Sequence, residues 1–97
     1  VIVGGDGRDV IHGKARVVDQ KSRNVTDFFI RGAEETARLA RLTGAGSAVL
    51  KERSPSCALT WIDSGRGMIR GCGVTTALLI QEGVEVFSEE TFFSAED

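Results

Sequence analysis

The sequence predicts an α/β fold: a small parallel-sheet, Rossmann-like arrangement, three-layer or a half-domain, with strand–helix–strand crossovers and an N-terminal irregular β-hairpin. Three observations predict it. Apolar residues recur at helical spacing over residues 25–43, the mark of a helix with one buried face. Two short apolar runs, 47–51 (SAVLK) and 84–87 (VEVF), flank a second helical stretch at 74–82. A helix between two strands makes the strands parallel. Ahead of these, extended segments lie on either side of a glycine cluster.

At 97 residues the chain is read as a single, partial α/β domain spanning 1–97. Residues 1–3 (VIV) read as a strand and Gly4-Gly5-Asp6-Gly7 as a turn. Val10-Ile11 and then 14–19 read as a second extended segment, the irregular partner of the first. Residues 20–23 form a polar turn. Asn24 reads as an N-cap, with Asp27 three residues on as a short-armed capping box. The buried stripe of the first helix is read as Val25, Phe28, Phe29, Ala33, Thr36, Ala37 and Ala40. Arg31, Glu34, Glu35, Arg38 and Arg41 form a solvated face with i,i+4 pairs at Arg31–Glu35 and Glu34–Arg38. Gly44 and Gly46 stop the helix. Residues 52–73 read as a long loop, and such loops carry function more often than not. Gly71-Cys72-Gly73 opens the second helix and Gly83 closes it. Glu89–Phe93 reads as one more helical turn and the tail 94–97 as loose.

Composition narrows the function classes. Net charge is −2, with 41% hydrophobic and 27% charged residues. Mixed signs give no basis for nucleic acid as a partner. No run of about 18 apolar residues is present, so no membrane partner is expected. Two cysteines are too few for a disulfide framework, and no leader pattern is seen, so a cytoplasmic location is expected. Two cysteines with the single His12 also argue against a four-ligand zinc site from this chain alone.

The chemistry concentrates at Ser54-Pro55-Ser56-Cys57. The strand 47–51 delivers this loop to the carboxyl end of the sheet, where ligands of open α/β folds bind. Pro55 stiffens its own φ and pushes Ser54 to extended geometry. Lys51 and Arg53 would favour the thiolate of Cys57; a small packed cysteine is the competing reading. Gly71, Gly73 and Thr75, at the start of the second helix, are the candidate substrate- or anion-binding residues, since backbone N–H groups there suit an anion. Cys72 is a second candidate thiol whose pKa the helix dipole would lower. His12, Asp6, Asp9 and Asp63 read as loop and turn residues, and Trp61 as a cover for the loop.

Residues 50–57 (LKERSPSC) and 73–79 (GVTTALL), with 3–7 (VGGDG), Val25-Thr26, 32–35 (GAEE) and 86–90 (VFSEE), follow one another in an order that resembles the C-terminal portion of the thiouracil desulfurase-like family. The resemblance runs from about Val1 to Glu90. It implies removal of sulfur from a thiolated pyrimidine or similar small molecule. It also implies a [4Fe–4S] cluster held by three cysteines, with the open iron as a Lewis acid. Cys57 takes the place of one ligand; Ser54, with Ser56 beside it, takes that of the assisting serine. Two departures stand out. The family's other two cluster cysteines belong to an N-terminal half, so this chain alone is expected to hold no cluster. Ala58-Leu59-Thr60-Trp61 follows Cys57 where the family usually has Gly, and Cys72 stands where an acidic residue is more usual. The chain is thus expected to act either with a supplied N-terminal half or as a cluster-free binding or interaction half-domain. A bare sheet edge would favour a homo-oligomer.

Overall fold

The computed structural model describes residues 1–50 and 54–89. In chain order the elements are β1 (Ile2–Val3), α1 (Gly7–Ile11), β2 (Arg16–Val17), α2 (Thr26–Thr43), β3 (Ser47–Leu50), β4 (Trp61–Asp63), β5 (Met68–Arg70), α3 (Val74–Gln81) and β6 (Glu85–Ser88). The expected parallel pair is present: β3 and β6 run parallel, in register from Ser47 opposite Glu85 to Leu50 opposite Ser88. β1 and β2 form the antiparallel N-terminal pair.

That N-terminal pair is irregular because a helix lies inside it. Val10 and Ile11, read from sequence as extended, belong to α1. The physical reason is a reciprocal capping box. The Asp6 carboxylate accepts from the N–H groups of Arg8 and Asp9, and the Asp9 carboxylate accepts from the N–H of Asp6 at 2.9 Å. Three backbone donors satisfied in this way stabilise even a five-residue helix.

α2 starts one residue later than expected, at Thr26. Asn24 Oδ1 accepts from both the N–H and the hydroxyl of Thr26, and Thr26 Oγ1 accepts from the Val17 N–H at 2.9 Å. This ties the helix start to β2. Val25 holds the cap position without a side-chain cap, so Asp27 forms no capping box. Ala33 and Ala37 are buried and Val25, Phe29 and Ile30 pack against the core. Phe28, read into that stripe, is 72% exposed, because its position lies on the opposite side of the helix from Ala33 and Ala37. The ion pairs on the wet face are Arg38–Glu35 and Arg41–Glu82 instead of the two expected. The second of these joins α2 to the end of α3; half-exposed, it contributes about 0.5 kcal/mol. Gly44 ends α2 at φ 67°, a left-handed cap that glycine adopts without strain.

The expected long loop 52–73 contains a hairpin. β4 and β5 pair antiparallel, Ile62 opposite Ile69, across a turn in which Asp63 Oδ1 accepts from Gly65 N–H and Ser64 Oγ donates to Gly67 O. Strands of three residues are too short for their alternation to be read in sequence. Lys51 and Arg53, all but the first residue of the expected turn 89–93, and the tail 94–97 lie outside the described residues.

One core serves these parts. Ile2, Val10, Val17, Ala33, Ala58, Ile62 and Val74 are buried together. It draws on both sides of the 54–57 loop and so fixes that loop to the first helix pair. α1 lies against α3 so closely that a side chain at Gly7 would overlap the carbonyl of Gly73. Gly7→Ala is therefore expected to destabilise the protein by about 3 kcal/mol. Gly32 faces open space in the middle of α2, so Gly32→Ala should stabilise by about 1 kcal/mol. Urea unfolding of the two variants checks both signs.

Candidate functional site

Ser54, Pro55, Ser56 and Cys57 form a single turn, closed by Ala58 N–H donating to Ser54 O at 2.9 Å. Ser54 Oγ accepts from the N–H groups of Ser56 and Cys57, at 3.1 and 3.3 Å. The turn sits directly on the start of α3. Val74 N–H donates to Pro55 O at 2.8 Å, Thr75 N–H to Ser56 O at 2.8 Å and Thr76 N–H to Ser56 O at 3.2 Å. Gly73 N–H donates to Ala58 O, and Thr76 Oγ1 donates to Cys57 O at 2.9 Å. Two hydroxyls meet beneath the loop, Ser56 Oγ and Thr75 Oγ1, 2.7 Å apart. Cys57 Sγ lies 3.6 Å from Ser56 Oγ.

Gly71, Gly73 and Thr75, read as candidate substrate- or anion-binding residues, lie where the loop meets the start of α3. The amide donors at the start of α3 are already satisfied by carbonyls of the 54–57 loop. The glycines serve close approach instead. A side chain at Gly73 would overlap the Ser56 backbone, and one at Gly71 would meet Asp6 Cβ at 2.6 Å. The helix dipole still points at the loop, but through the peptide groups of Pro55 and Ser56.

Cys57 is half-buried, with Ser54, Pro55 and Ser56 equally so. Cys72, the second candidate thiol, is buried and turned away to α1. Its N–H donates to Asp6 Oδ2 at 3.3 Å and its Sγ lies 3.8 Å from the same oxygen. Burial pushes the Cys72 thiol up, and the Asp6 carboxylate adds to this. The Arg8 guanidinium pulls the other way, but it stands mostly in water, where its field is screened. The expectation of a lowered pKa from the helix dipole is thus overturned by desolvation. Asp6, read only as a turn former, organises this corner: it caps α1 and receives the Cys72 amide. The spacing Asp6–Asp9 ahead of Val10 was the sequence signal for it. His12 is exposed. Trp61 is 44% exposed with the Arg70 guanidinium 5.9 Å from its ring centre.

The donor set sets a limit on metal chemistry. Among the described residues no group of three or more His, Cys, Asp or Glu side chains is placed to hold a metal ion. Cys57 fits one corner of a cluster; the described residues of this chain do not fit the whole. A hollow of about 630 Å³ beside the start of α2 includes no residue of the 54–57 loop. No helix among the described residues is long and apolar enough to cross a membrane.

An α/β scaffold presenting one thiol and two hydroxyls on a turn seated over a helix start defines a class, and comparison with known proteins identifies it. The 2-thiouracil desulfurase family model matches residues 2–91, and the chain belongs to that family. It is 42% identical over 91 residues to the uncharacterized protein YbbK of Bacillus subtilis (strain 168), covering 91% of this chain and 60% of that one. It is also similar to the solved structure of TudS, a [4Fe–4S]-dependent thiouracil desulfidase. That match has 41% identity and a TM-score of 0.77, over 81% of this chain and 54% of the other. The chain thus spans little more than half the length of the relatives it matches.

The raised Cys72 pKa has a consequence for stability. A thiol whose pKa is higher folded than unfolded binds its proton longer in the native state. Its contribution is full at neutral pH and is lost as pH rises past about 9, where the unfolded thiol ionises first. The wild type is expected to lose stability more steeply than Cys72→Ala in urea unfolding between pH 8 and pH 10, taken as roughly one unit either side of the free thiol value.

Proposed function

We propose that this chain is the cysteine-loop portion of a desulfurase that removes sulfur from a thiolated pyrimidine or a similar small molecule. The observation that carries the reading is the similarity to the desulfidase, at 41% identity and TM-score 0.77 over 81% of this chain, with the family model spanning residues 2–91 and so the 54–57 turn. In this reading Cys57 supplies one thiolate ligand of a [4Fe–4S] cluster. A cluster held by three thiolates supplies a Lewis-acidic iron for the sulfur of the substrate. The other two thiolates come from the remainder of the family fold, of which this chain covers 54% in the desulfidase. Exchange of a thiocarbonyl sulfur for the oxygen of water is redox-neutral: a C–O bond to water forms, the C–S bond breaks, and the two protons of water leave with the sulfur as hydrogen sulfide.

The chain's own residues have definable parts in this. Ser54 Oγ accepts two backbone N–H bonds, one of them from Cys57, and in this reading its own proton serves in handling the proton of water or of the leaving sulfur. Ser56 stands between Cys57 and Thr75. Both cysteines are free thiols, which fits a reducing compartment such as the cytoplasm.

A chimera tests the reading. This chain, joined to the remainder of the desulfidase and reconstituted anaerobically with iron and sulfide, is expected to show the visible absorption of an iron–sulfur cluster. It should release sulfide from 2-thiouracil, and Cys57→Ala should lose the cluster and lower sulfide release by about 100-fold. A folded chimera that takes up no cluster would instead favour the second reading, a cluster-free small-molecule-binding or interaction half-domain.

The same incompleteness bears on association. Among the described residues β3 and β6 pair only with each other, and Val49 on β3 is 43% exposed. Parallel sheets are normally covered on both faces and continued at their edges. We infer that the chain alone self-associates through this sheet. Sedimentation velocity should show a dimer or larger species, and a monomer at high protein concentration would refute it.

A further inference from the structure

We propose that Thr75 is a positioning residue that acts through Ser56 to aim a hydrogen-bonding hydroxyl at the sulfur of Cys57. The inference rests on the reading of Cys57 as the sulfur ligand, and it assigns a function to a hydroxyl that takes no part in the backbone bonds seating the loop.

Two adjacent threonines of α3 lie under the loop, Thr75 at 3% and Thr76 at 0% exposure. Thr76 has a structural role, since its hydroxyl donates to Cys57 O at 2.9 Å and fixes the backbone of the cysteine. The backbone around Ser56 is already held by the Thr75 and Thr76 amides. The Thr75 hydroxyl is therefore redundant for seating the loop, yet it is buried. A buried hydroxyl is disfavoured relative to a methyl group of the same size unless it is bonded. The partner it finds is Ser56 Oγ at 2.7 Å, and that oxygen is the one 3.6 Å from Cys57 Sγ. Three groups thus stand in line: Thr75 Oγ1, Ser56 Oγ, Cys57 Sγ.

A serine on a half-exposed turn has three staggered rotamers. The bond to Thr75 selects the one that keeps Oγ beside the sulfur. A hydroxyl can donate one bond and accept two, so Ser56 can accept from the Cys57 thiol while bonded to Thr75, and toward a deprotonated sulfur it donates its one proton while accepting from Thr75. Hydrogen bonds to ligand sulfur are among the factors that set the potential and reactivity of iron–sulfur centres. Thr75, out of contact with substrate, would set this bond by holding Ser56 in place.

The S–H stretching band of Cys57 in the infrared spectrum of the chain reads this bond directly. The band is identified by its loss in Cys57→Ser. Ser56→Ala is expected to shift it to higher wavenumber, as the sulfur loses its partner. Thr75→Val should produce a similar shift, the double variant no further shift, and Thr75→Ser none. If Thr75→Val does not fold, Thr75→Ala removes the hydroxyl without the second methyl and carries the same expectation. A band unmoved in Ser56→Ala, a band unmoved in the Thr75 variants, or shifts that add in the double variant would each overturn the proposal. The measurement uses the cluster-free chain, so its outcome is separate from that of the chimera experiment.

Discussion

The start of α3 is the constraint on which the remainder depends. A helix exposes N–H groups at its first turn that have no partner within the helix. Here the carbonyls of Pro55 and Ser56 take those at Val74, Thr75 and Thr76, and Ala58 takes that of Gly73. The cysteine turn is the cap of the helix. Because the cap is backbone, the loop must lie against the helix at peptide-to-peptide distance, and that is why Gly73 has no room for a side chain. The same closeness propagates outward. Gly7 N–H donates to Cys72 O at 2.7 Å, so α1 is also set by the 71–73 turn. Cys57, Cys72 and Asp6 are thus held by one backbone cluster, although they are far apart in sequence. Ala58 adds an apolar anchor just after Cys57, since its methyl group is fully buried in the core.

Close packing at that cluster contrasts with openness elsewhere. Val49, Ile80, Leu39 and Leu42 are between 43% and 69% exposed. A two-stranded parallel sheet satisfies only half of the backbone groups that a wider sheet would satisfy. By contrast, the carbonyls of Ser54, Pro55 and Ser56 are met within the chain, by the N–H groups of Ala58, Val74, Thr75 and Thr76.

Legibility in the sequence followed the range of the interactions. The α2 stripe through Ala33 and Ala37, the Gly44 stop and the parallel strands around α3 were readable because period and caps are local. Phe28 was misassigned because a stripe counted by spacing alone admits positions on both flanks. α1 was missed because its capping box uses two aspartates, which read equally as turn formers. The β4–β5 hairpin was missed because its strands are too short to show alternation. At the site, the thiol and hydroxyls on the 54–57 turn were visible through Pro55 and the residue types. The engagement of the α3 amides by that turn was not, since it is a contact between segments about 20 residues apart whose only local trace is Gly73. A glycine before a helix fits a ligand and a loop carbonyl equally well, and only the structure decides between them.

The two thiols show how one scaffold separates roles by environment. Both lie beside the start of α3, and composition alone does not rank them. Cys72 is sealed against α1, next to a carboxylate, where desolvation and like charge both hold the proton on sulfur. A thiol in that state neither binds iron nor attacks an electrophile readily. Cys57 is half-buried and faces two hydroxyls, and among the described residues its hydrogen-bond partners include no carboxylate. In the proposed reading its sulfur meets a metal or a substrate from the open side, with Ser56 and the start of α3 beneath the loop. The difference follows first from burial, to which the Asp6 carboxylate that builds α1 adds at Cys72; in the proposed reading this leaves Cys57 as the sulfur available to a metal or a substrate.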